Sequence, residues 1–428
     1  MKNIIQPLKG TRDFYPQQMA VRNWLYGKIR KISEAFGYQE YDGPFLESIN
    51  LYAAKSGEEL VKEQSYVFPD HSGDLITLRP ELTPTLARMV AQKQAQLTFP
   101  LRWWSFGPFW RYERPQKGRS REFFQWNIDI IGIDSPQADA ELITIIASFF
   151  KEIGLLSQHA RVMVNSRKLI DAELAALEIS PEKRIGLFKI IDRRSKLSPA
   201  EWEAYLLDFG LSASQYKSLI SILNNTSLWE KSPELVTVFS TLKAFGVEDY
   251  VQFDPNIVRG LDYYTGIVFE GQEIQGEFRR AILGGGRYDN LLADVGGQPL
   301  PATGFAMGDM VISLILEKYG CLPVNIGENP APVFITIFDE NSRSTSYSLA
   351  MQLRQNGINV TCNLETEKLS KQLKYADRLG ARIALIVGPD EQNNHTVTIK
   401  ELKAGIQQTI NQSELLSTIR SILEKPLT

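Results

Sequence analysis

The run FWRYERPQKGRSREFFQWNIDIIG, residues 109–132, joins a crowded basic loop to an alternating apolar segment. Five cations and one carboxylate lie within residues 111–121, whereas the whole chain of 428 residues has a net charge of -3. So many cations in a short span repel one another unless an anion or solvent lies between them. Because the fork of an arginine side chain matches phosphate oxygens, the loop predicts a site for a polyphosphate ligand.

The residues on either side of this loop predict two strands. In SFGPFWRYE, alternation with period two places Arg111 and Glu113 on one face. In EFFQWNIDI, the residues Gln125, Asn127 and Asp129 share one face, and apolar side chains occupy the other. Taken alone, the second pattern is typical of an outer strand whose polar face lies in water. A ligand shared with the basic loop is the alternative that explains both features.

The composition restricts the class of protein. Hydrophobic residues make up 43% of the chain and charged residues 23%, which is typical of a globular protein, and the length predicts two or three domains. Two cysteines and three scattered histidines argue against a disulfide framework, a protein-ligated metal and histidine-based catalysis. No apolar run approaches the roughly 18 residues of a membrane helix. We therefore expect a cytoplasmic enzyme that does not contact a membrane.

The pattern along the chain predicts a first domain over residues 1–325 and a second over 331–428. Helical and strand patterns alternate to about residue 160, and Glu81 lies in a predicted turn between a strand and a helix capped by Thr83. Residues 165–250 predict a helical insertion. After the segment CLPVNIGENPAP, typical of a linker, strands and helices alternate again. That second domain is predicted to be α/β with a largely parallel sheet.

Several motifs, taken in order, resemble the class II aminoacyl-tRNA synthetases. The run FWRYERPQKGRSREFF resembles their second signature motif, and GYQEYDGPFLE resembles the first, with Pro44 at a dimer interface. Within that class, RPELT (79–83), RPQKGR (114–119), RGLDYYTG (259–266) and the opening KGTRDFYP together resemble histidyl-tRNA synthetases. ADRLGARIALIVGPDE resembles the anticodon-binding domain of that family. The resemblance implies an α+β catalytic domain, with an antiparallel sheet flanked by helices and a helical insertion, followed by an α/β anticodon-binding domain.

The resemblance also implies a function. It is the ATP-dependent attachment of L-histidine to tRNA(His) through a histidyl-adenylate, with ATP and Mg²⁺ and in a homodimer. Carried over by motif, Arg111 and Arg259 are catalytic, and ATP contacts Arg111, Glu113, Arg119 and Arg259. Histidine is expected to contact Glu81, Thr83, Gln125, Asp129, Tyr263 and Tyr264. Because a neutral imidazole has one donor and one acceptor, a selective pocket needs a partner for each.

Two of these segments have simpler interpretations. Tyr263 and Tyr264 could be strand aromatics that pack on a core, in which case only one of them faces a ligand. The glycines 284–286 suggest a phosphate-binding loop, but GGGRYD lacks the spacing of known phosphate loops. A tight turn is the simpler expectation.

The third class II motif departs from the family pattern. The family usually has Glu-Arg at the start of the helix, with the arginine over the adenine of ATP, whereas this chain has Asp309, Met310 and Val311 after Gly308. Another cation, Arg287 or Arg121, could take its place. The departure keeps a second function open, the non-catalytic synthetase-like regulatory subunit of ATP phosphoribosyltransferase, which senses histidine. That subunit typically lacks the anticodon-binding domain. A weaker third possibility is transfer of histidine to a molecule other than tRNA.

A row of cations also occurs near the end of the chain. It comprises Lys368, Lys371, Lys374, Arg378 and Arg382, at steps of three and four residues, which is the spacing of one helical face. Such a face is suited to RNA phosphates, and it is equally typical of an ordinary solvated face.

Overall fold

The computed structural model describes residues 4–53, 63–194, 197–260, 263–276, 278 and 280–425. By its internal contacts the chain forms two compact units, Met1–Val324 and Asn325–Thr428. Residues 261 and 262 of the RGLDYYTG motif lie outside the described residues.

The first unit contains one large sheet and one small sheet. Its strands are β1 (Gln39–Glu40), β2 (Leu46–Ser48), β3 (Tyr66–Pro69), β4 (Leu75–Leu78), β5 (Leu101–Trp110), β6 (Glu122–Ile131), β7 (Ala160–Ser166), β8 (Val251–Phe253), β9 (Ile267–Glu273), β10 (Leu283–Tyr288) and β11 (Ala302–Gly308). The large sheet has the order β1-β5-β6-β11-β10-β9-β7-β8, and the small one β2-β4-β3. Neighbours from β5 to β7 are antiparallel, and only the outer pairs β1/β5 and β7/β8 are parallel.

Helices cover this sheet, as the sequence predicts. They are α1 (Pro16–Ala35), α2 (Ile49–Ala53), α3 (Thr83–Lys93), α4 (Pro136–Glu152), α5 (Arg167–Ala176), α6 (Pro181–Asp192), α7 (Pro199–Asp208), α8 (Ala213–Leu223), α9 (Pro233–Ala244), α10 (Leu291–Asp294) and α11 (Asp309–Lys318). Helix α4 begins where Ser135 accepts a hydrogen bond from the backbone N–H of Gln137 and Pro136 takes the first helical position. Its Phe149 ring lies 5.2 Å from the ring of Trp126 on β6, so α4 packs directly on the sheet.

Helices α5–α9 lie in the described part of the chain between β7 and β8. Two of them begin at capping boxes, in which Ser198 and Ser212 exchange hydrogen bonds with the third residue of the helix. Their buried apolar side chains, among them Trp202 and Leu219, belong to the same core cluster as the sheet residue Trp126. The helical segment therefore packs onto the large sheet through a continuous core.

The two strands beside the basic loop, β5 and β6, both differ from the prediction. Strand β5 ends at Trp110, so Arg111 and Glu113 follow the strand instead of lying on one of its faces. Strand β6 is not an outer strand, because it lies between β5 and β11, and the interpretation of a solvated polar face is wrong. Asn127 and Asp129 are both buried on the face that was expected to meet water.

Three local predictions near the expected site are also wrong. Gly284, Gly285 and Gly286 lie inside β10 and not in a tight turn. A Cβ at Gly285 would collide with the backbone carbonyl of the neighbouring strand β11, so close strand packing requires glycine there. The tyrosines at 263 and 264 precede β9 and so are not strand aromatics, although both pack on a buried apolar cluster, as that interpretation expected. Helix α3 begins with Thr83 itself, preceded by Leu82, so Thr83 is not its N-cap.

The second unit is a smaller α/β layer. Its strands are β12 (Val333–Ile335), β13 (Val360–Cys362), β14 (Ile383–Ile386), β15 (Thr396–Glu401) and β16 (Gln407–Asn411), and its helices are α12 (Arg343–Gln355), α13 (Leu369–Arg378), α14 (Pro389–Asn394) and α15 (Leu415–Glu424). In the order β13-β12-β14-β15-β16, only the first three strands are parallel. The largely parallel sheet predicted from the sequence is therefore half right, because β15 and β16 return as an antiparallel pair through connections too short for a parallel crossover.

The row of cations lies along α13, with one exception. Lys371, Lys374 and Arg378 are exposed on the helix, and Lys368 precedes it. Arg382 instead donates hydrogen bonds to the carbonyl oxygens of residues 422, 423 and 425 at the end of α15. Arg382 therefore stabilises a helix terminus and does not belong to the basic face.

Candidate active site

A cavity of about 880 Å³ opens where the loop after β5, the start of α11 and the insertion meet. Its lining includes Arg111, Glu113, Arg119 and Arg259, the four residues predicted to contact ATP. Because these residues lie far apart in sequence, the fold has assembled them, and the cavity is the candidate nucleotide site.

The side chain of Arg111 is fixed by its surroundings. Its Nε donates to the carbonyl oxygen of Pro80 at 2.9 Å, and its guanidinium carbon lies 5.4 Å from the centre of the Phe123 ring. Burial lowers the pKa of Arg111, while the nearby carboxylate of Glu81 opposes this effect. Arg111 is thus a positioned cation at the cavity wall.

Arg259 has an uncommon backbone conformation for a residue with a side chain. Its φ angle is 53°, in the left-handed region that favours glycine, and such strain tends to occur at functional sites. Its Nη1 lies 2.6 Å from Oε2 of Glu270. Burial alone would lower the pKa of Arg259, but Glu270 raises that pKa above its ordinary value. The Nε atom is buried and has no hydrogen-bond partner among the described residues, so it is available to an anion.

Arg119 and Glu113 form a close ion pair at the cavity. The Arg119 side chain is 44% exposed, whereas that of Glu113 is 7% exposed. A ligand that binds either charge has to compete with the other one. The pair thus joins a partly exposed cation to a buried carboxylate.

None of the six residues predicted to bind histidine is among the residues that line the cavity. Gln125 and Asp129 lie four residues apart on β6 and so face the same side. Gln125 pairs with Gly308, which does line the cavity, and Asp129 pairs with Gly304 further along β11. A ligand that extends from the cavity along β6 would therefore pass Gln125 before it reaches Asp129.

Asp129 is buried on β6. Burial raises the pKa of Asp129 to about 7, and the hydrogen bond from Tyr288 opposes that rise. The hydroxyl of Tyr288 donates to Oδ1 of Asp129 at 2.6 Å. The ring of Tyr263 lies 4.8 Å from that of Tyr264 and 6.0 Å from that of Tyr288. Three tyrosines and one carboxyl thus supply both donors and acceptors.

Glu81 and Thr83 lie at the turn between β4 and α3, where the sequence predicts Glu81. Glu81 is buried, and its backbone carbonyl accepts a hydrogen bond of 3.4 Å from the hydroxyl of Tyr52. Burial raises the pKa of Tyr263, and the charge of Glu81 adds to that rise. Thr83 is half-buried at the first position of α3.

Neither cation expected to replace the arginine of the third motif lines the cavity. Arg287 is buried under the sheet, where its Nη2 lies 2.7 Å from Oδ2 of Asp139. The guanidinium of Arg121 lies over the ring of Tyr112 at 4.0 Å. Asp309 is also engaged, because it pairs with Arg12 at 2.8 Å and accepts from the backbone N–H of Phe124.

The sequence analysis missed several residues at this site. Arg280, in the loop before β10, lines the cavity, and Asp192 and Arg194 reach it from the insertion. Tyr288 contacts Asp129, as described above. The signal for Arg280 was present as a pair of arginines before an apolar strand, whereas amphipathic helices gave no sign that the insertion reaches a ligand site.

The described residues contain neither a metal-ligand cluster nor a membrane-spanning helix. Among the residues that the structure describes, no group of three or more His, Cys, Asp or Glu side chains could hold a metal ion. In the same residues, every helix is too short or too polar to cross a membrane.

Comparison with known proteins follows the same division of the chain. The family model described as histidyl-tRNA synthetase matches residues 10–310, and the one described as anticodon binding domain matches residues 323–422. The chain belongs to the histidyl-tRNA synthetase family. Two relatives agree with this membership. A histidine–tRNA ligase of Leptospira biflexa is 36% identical, with 97% of this chain and 98% of that protein covered. The chloroplastic/mitochondrial histidine–tRNA ligase of Arabidopsis thaliana is 39% identical, with 96% and 86% covered.

The fold agrees with membership of the histidyl-tRNA synthetase family. A crystal structure of histidyl-tRNA synthetase from Nostoc sp. PCC 7120 superposes with a TM-score of 0.84 and is 26% identical, with 99% of this chain and 100% of that chain covered. The resemblance that rested on motifs is therefore confirmed, and so is the class II architecture of a sheet flanked by helices followed by an anticodon-binding domain.

Proposed function

We propose that this protein attaches L-histidine to tRNA(His) with ATP, through a histidyl-adenylate. The observation that carries the proposal is the convergence of Arg111, Arg119 and Arg259 on one cavity, in a chain whose relatives are histidine–tRNA ligases along nearly their full length. Three cations at one cavity suit a triphosphate, because each phosphate oxygen accepts charge-assisted hydrogen bonds.

In the first step, the carboxylate of histidine attacks the α-phosphorus of ATP. A bond forms between the carboxylate oxygen and the α-phosphorus, the bond from the α-phosphorus to the bridging oxygen breaks, and pyrophosphate leaves. Arg111 and Arg259 neutralise charge at the α-phosphate, Glu113 faces the adenine, and Arg119 meets the distal phosphates after it separates from Glu113. Positioning and charge stabilisation supply most of the catalysis in such a reaction.

In the second step, a ribose hydroxyl of the terminal adenosine of tRNA attacks the carbonyl carbon of the adenylate. The ester to tRNA forms and AMP leaves. The second unit, which the anticodon-binding model matches, supports tRNA as the acceptor. It also makes transfer of histidine to another molecule less attractive.

Histidine is recognised by paired donors and acceptors. Asp129 and a tyrosine hydroxyl meet the two imidazole nitrogens, Glu81 meets the α-ammonium group, and Thr83 and Gln125 complete the pocket. Tyr263 and Tyr264 form its side wall. A pocket of buried polar groups rejects a substrate that leaves them unpaired, which gives selectivity against the other amino acids.

Mg²⁺ fits this site as a partner of ATP and not as a resident ion. Magnesium is commonly held by one or two carboxylates together with substrate phosphates. Glu270 lines the cavity beside the arginines, and no cluster of three ligands occurs among the described residues. When bound, Mg²⁺ offsets negative charge on the phosphates.

The regulatory subunit of ATP phosphoribosyltransferase remains the second candidate, and it is supported less well. Its only favourable observation is the departure at Val311. A second unit matched over residues 323–422 by an anticodon-binding model favours the tRNA ligase.

A homodimer is part of the proposal. Phe45 and Leu46 are exposed next to the exposed Pro44, and the exposed Phe68 lies on the same face of the small β2-β4-β3 sheet as Leu46. A cluster of this kind commonly marks a protein interface. Light scattering on the purified protein tests the state, and a monomeric mass at micromolar concentration would contradict it. A cytoplasmic location stays a prediction.

The experiment that tests the function is transfer of labelled histidine to a tRNA pool. We expect label in acid-precipitable RNA that depends on ATP and on tRNA(His), and none with labelled amino acids other than histidine. Robust ATP and histidine binding without any charging of tRNA would instead favour the regulatory candidate.

A further inference from the structure

A cation lies close to position 311, where the third motif lacks its usual arginine. Val311 stands where the family usually has arginine, and it lies against Gly118 of the basic loop, since a Cβ at Gly118 would be 3.5 Å from Cγ2 of Val311. Arg280 approaches the same glycine from the β9–β10 loop, with its Nη1 3.5 Å from the carbonyl oxygen of Gly118. Arg280 and Val311 therefore flank one residue of the cavity wall.

Further contacts hold Arg280 at this place. Its Nη2 donates to Oε1 of Gln116 at 2.8 Å, and Lys117 lies 5.5 Å from the centre of the Phe278 ring in the same β9–β10 loop. Arg280 is half-buried and lines the cavity together with Glu113 and Phe123. Arg280 lines the cavity and has a partly exposed guanidinium, whereas Arg287 and Arg121 are not among the lining residues.

We propose that Arg280 is the cation that contacts the adenine end of ATP in this protein, in place of an arginine at position 311. The inference rests on the proposed function, because it assumes that the cavity binds ATP. A guanidinium delivered from the β9–β10 loop reaches the nucleotide from a different element than the start of α11. The small, apolar Val311 leaves room for it beside Gly118.

Equilibrium binding of Mg·ATP without histidine tests the inference, measured by titration calorimetry on the full chain. Loss of one cation over an aromatic base lowers affinity by about 2- to 30-fold. We therefore expect R280M to weaken ATP binding by that factor and to leave histidine binding unchanged. Adding V311R to R280M restores ATP affinity, because the second substitution returns the cation to the position used elsewhere in the family.

Two controls separate this role from others. R30M removes an exposed arginine on α1 that pairs with Glu40 outside the cavity, and it is expected to bind ATP as the parent does. Q116A removes the loop partner of Arg280 but keeps the cation, so it is expected to retain most of the affinity. An equal loss in Q116A and R280M would assign Arg280 to fixing the loop and would overturn the inference.

The outcomes also separate this inference from the proposed function. If the parent protein binds ATP and R280M binds it equally well with an unchanged melting temperature, the role of Arg280 is wrong and the ligase proposal stands. If the parent binds ATP but charges no tRNA, the ligase proposal fails, and weaker ATP binding by R280M still supports Arg280. A parent protein that binds no ATP overturns the inference.

Discussion

The hydroxyl of Tyr288 on β10 reaches across the intervening strand β11 to Oδ1 of Asp129 on β6, at 2.6 Å. Gly304 makes this contact possible, because it lies opposite Asp129 and a Cβ there would collide with the carboxyl group. The glycine, the tyrosine and the acid thus form one unit that fixes an acceptor inside the predicted histidine pocket.

Removal of this hydroxyl should affect histidine and not ATP. In Y288F, Asp129 loses the bond that orients it, and an unpaired buried acceptor costs about 1–3 kcal/mol. We expect the KM for histidine to rise about 10-fold in pyrophosphate exchange, with the KM for ATP unchanged. Y319F is a matched control, because Tyr319 donates a similar bond of 2.6 Å to Glu273 outside the pocket. Equal effects of the two substitutions on histidine would contradict the assignment.

Burial of Asp129 predicts a dependence of stability on pH. The folded pKa of about 7 exceeds the unfolded value of about 3.9, so the stability that the bound proton gives is present in full below about pH 4. It is lost as pH rises through about 7. D129N does not titrate, so its stability relative to the parent should improve by roughly 2–3 kcal/mol from pH 5 to pH 8.

Thermal melts of the parent and D129N at pH 5 and pH 8 measure this difference. We expect the melting temperature of D129N minus that of the parent to be higher at pH 8 than at pH 5. A constant gap between the two proteins at both pH values would show that Asp129 stays ionised across the range.

Gly284 predicts a separation of activity from stability. A Cβ at this position would collide with the flexible guanidinium end of Arg259, so G284A should displace that group and lower kcat by about 100-fold, with a small change in melting temperature. In G285A the collision is with the backbone carbonyl of Gly304, and the main effect should be a lower melting temperature. Parent-like activity in G284A would remove Arg259 from the catalytic step.

The basic face of α13 is tested by reversal of charge. K371E/K374E should weaken tRNA binding, with a smaller loss at high salt, because phosphate contacts release counterions. K403E/R420E reverses two exposed cations of the same unit that do not belong to α13, and serves as the control. If both double variants bind tRNA equally at every salt concentration, the face on α13 is an ordinary solvated surface.

How far the sequence predicted the molecule depended on the range of the interactions. The pairing of β5 with β6 follows from local alternation around the loop at Pro115, and the motifs were sufficient to identify the family. The environment of β6 was not predictable in the same way, because β11 joins it from more than 170 residues away and buries Asp129. Periodicity reports the two faces of a strand but not its neighbours.

The candidate site shows the same limit. All four residues predicted to contact ATP line one cavity. They could be predicted because each belongs to a motif shared with the family. The sequence offers Arg287 and Arg121 as replacements for the missing arginine, since both are close to motifs. Arg287 instead forms a buried ion pair with Asp139. The sequence does not predict this pair, because the two residues come together only in the folded chain. Arg280 reaches the cavity through a loop whose course no local pattern indicates.

The measurement that tests the central claim most directly is exchange of labelled pyrophosphate into ATP, run with Mg²⁺ and each of the twenty amino acids. We predict exchange with histidine alone, which would establish adenylate formation with valine at position 311. Exchange with no amino acid, from a protein that still binds histidine and ATP, would contradict the account and favour a histidine-binding regulatory role.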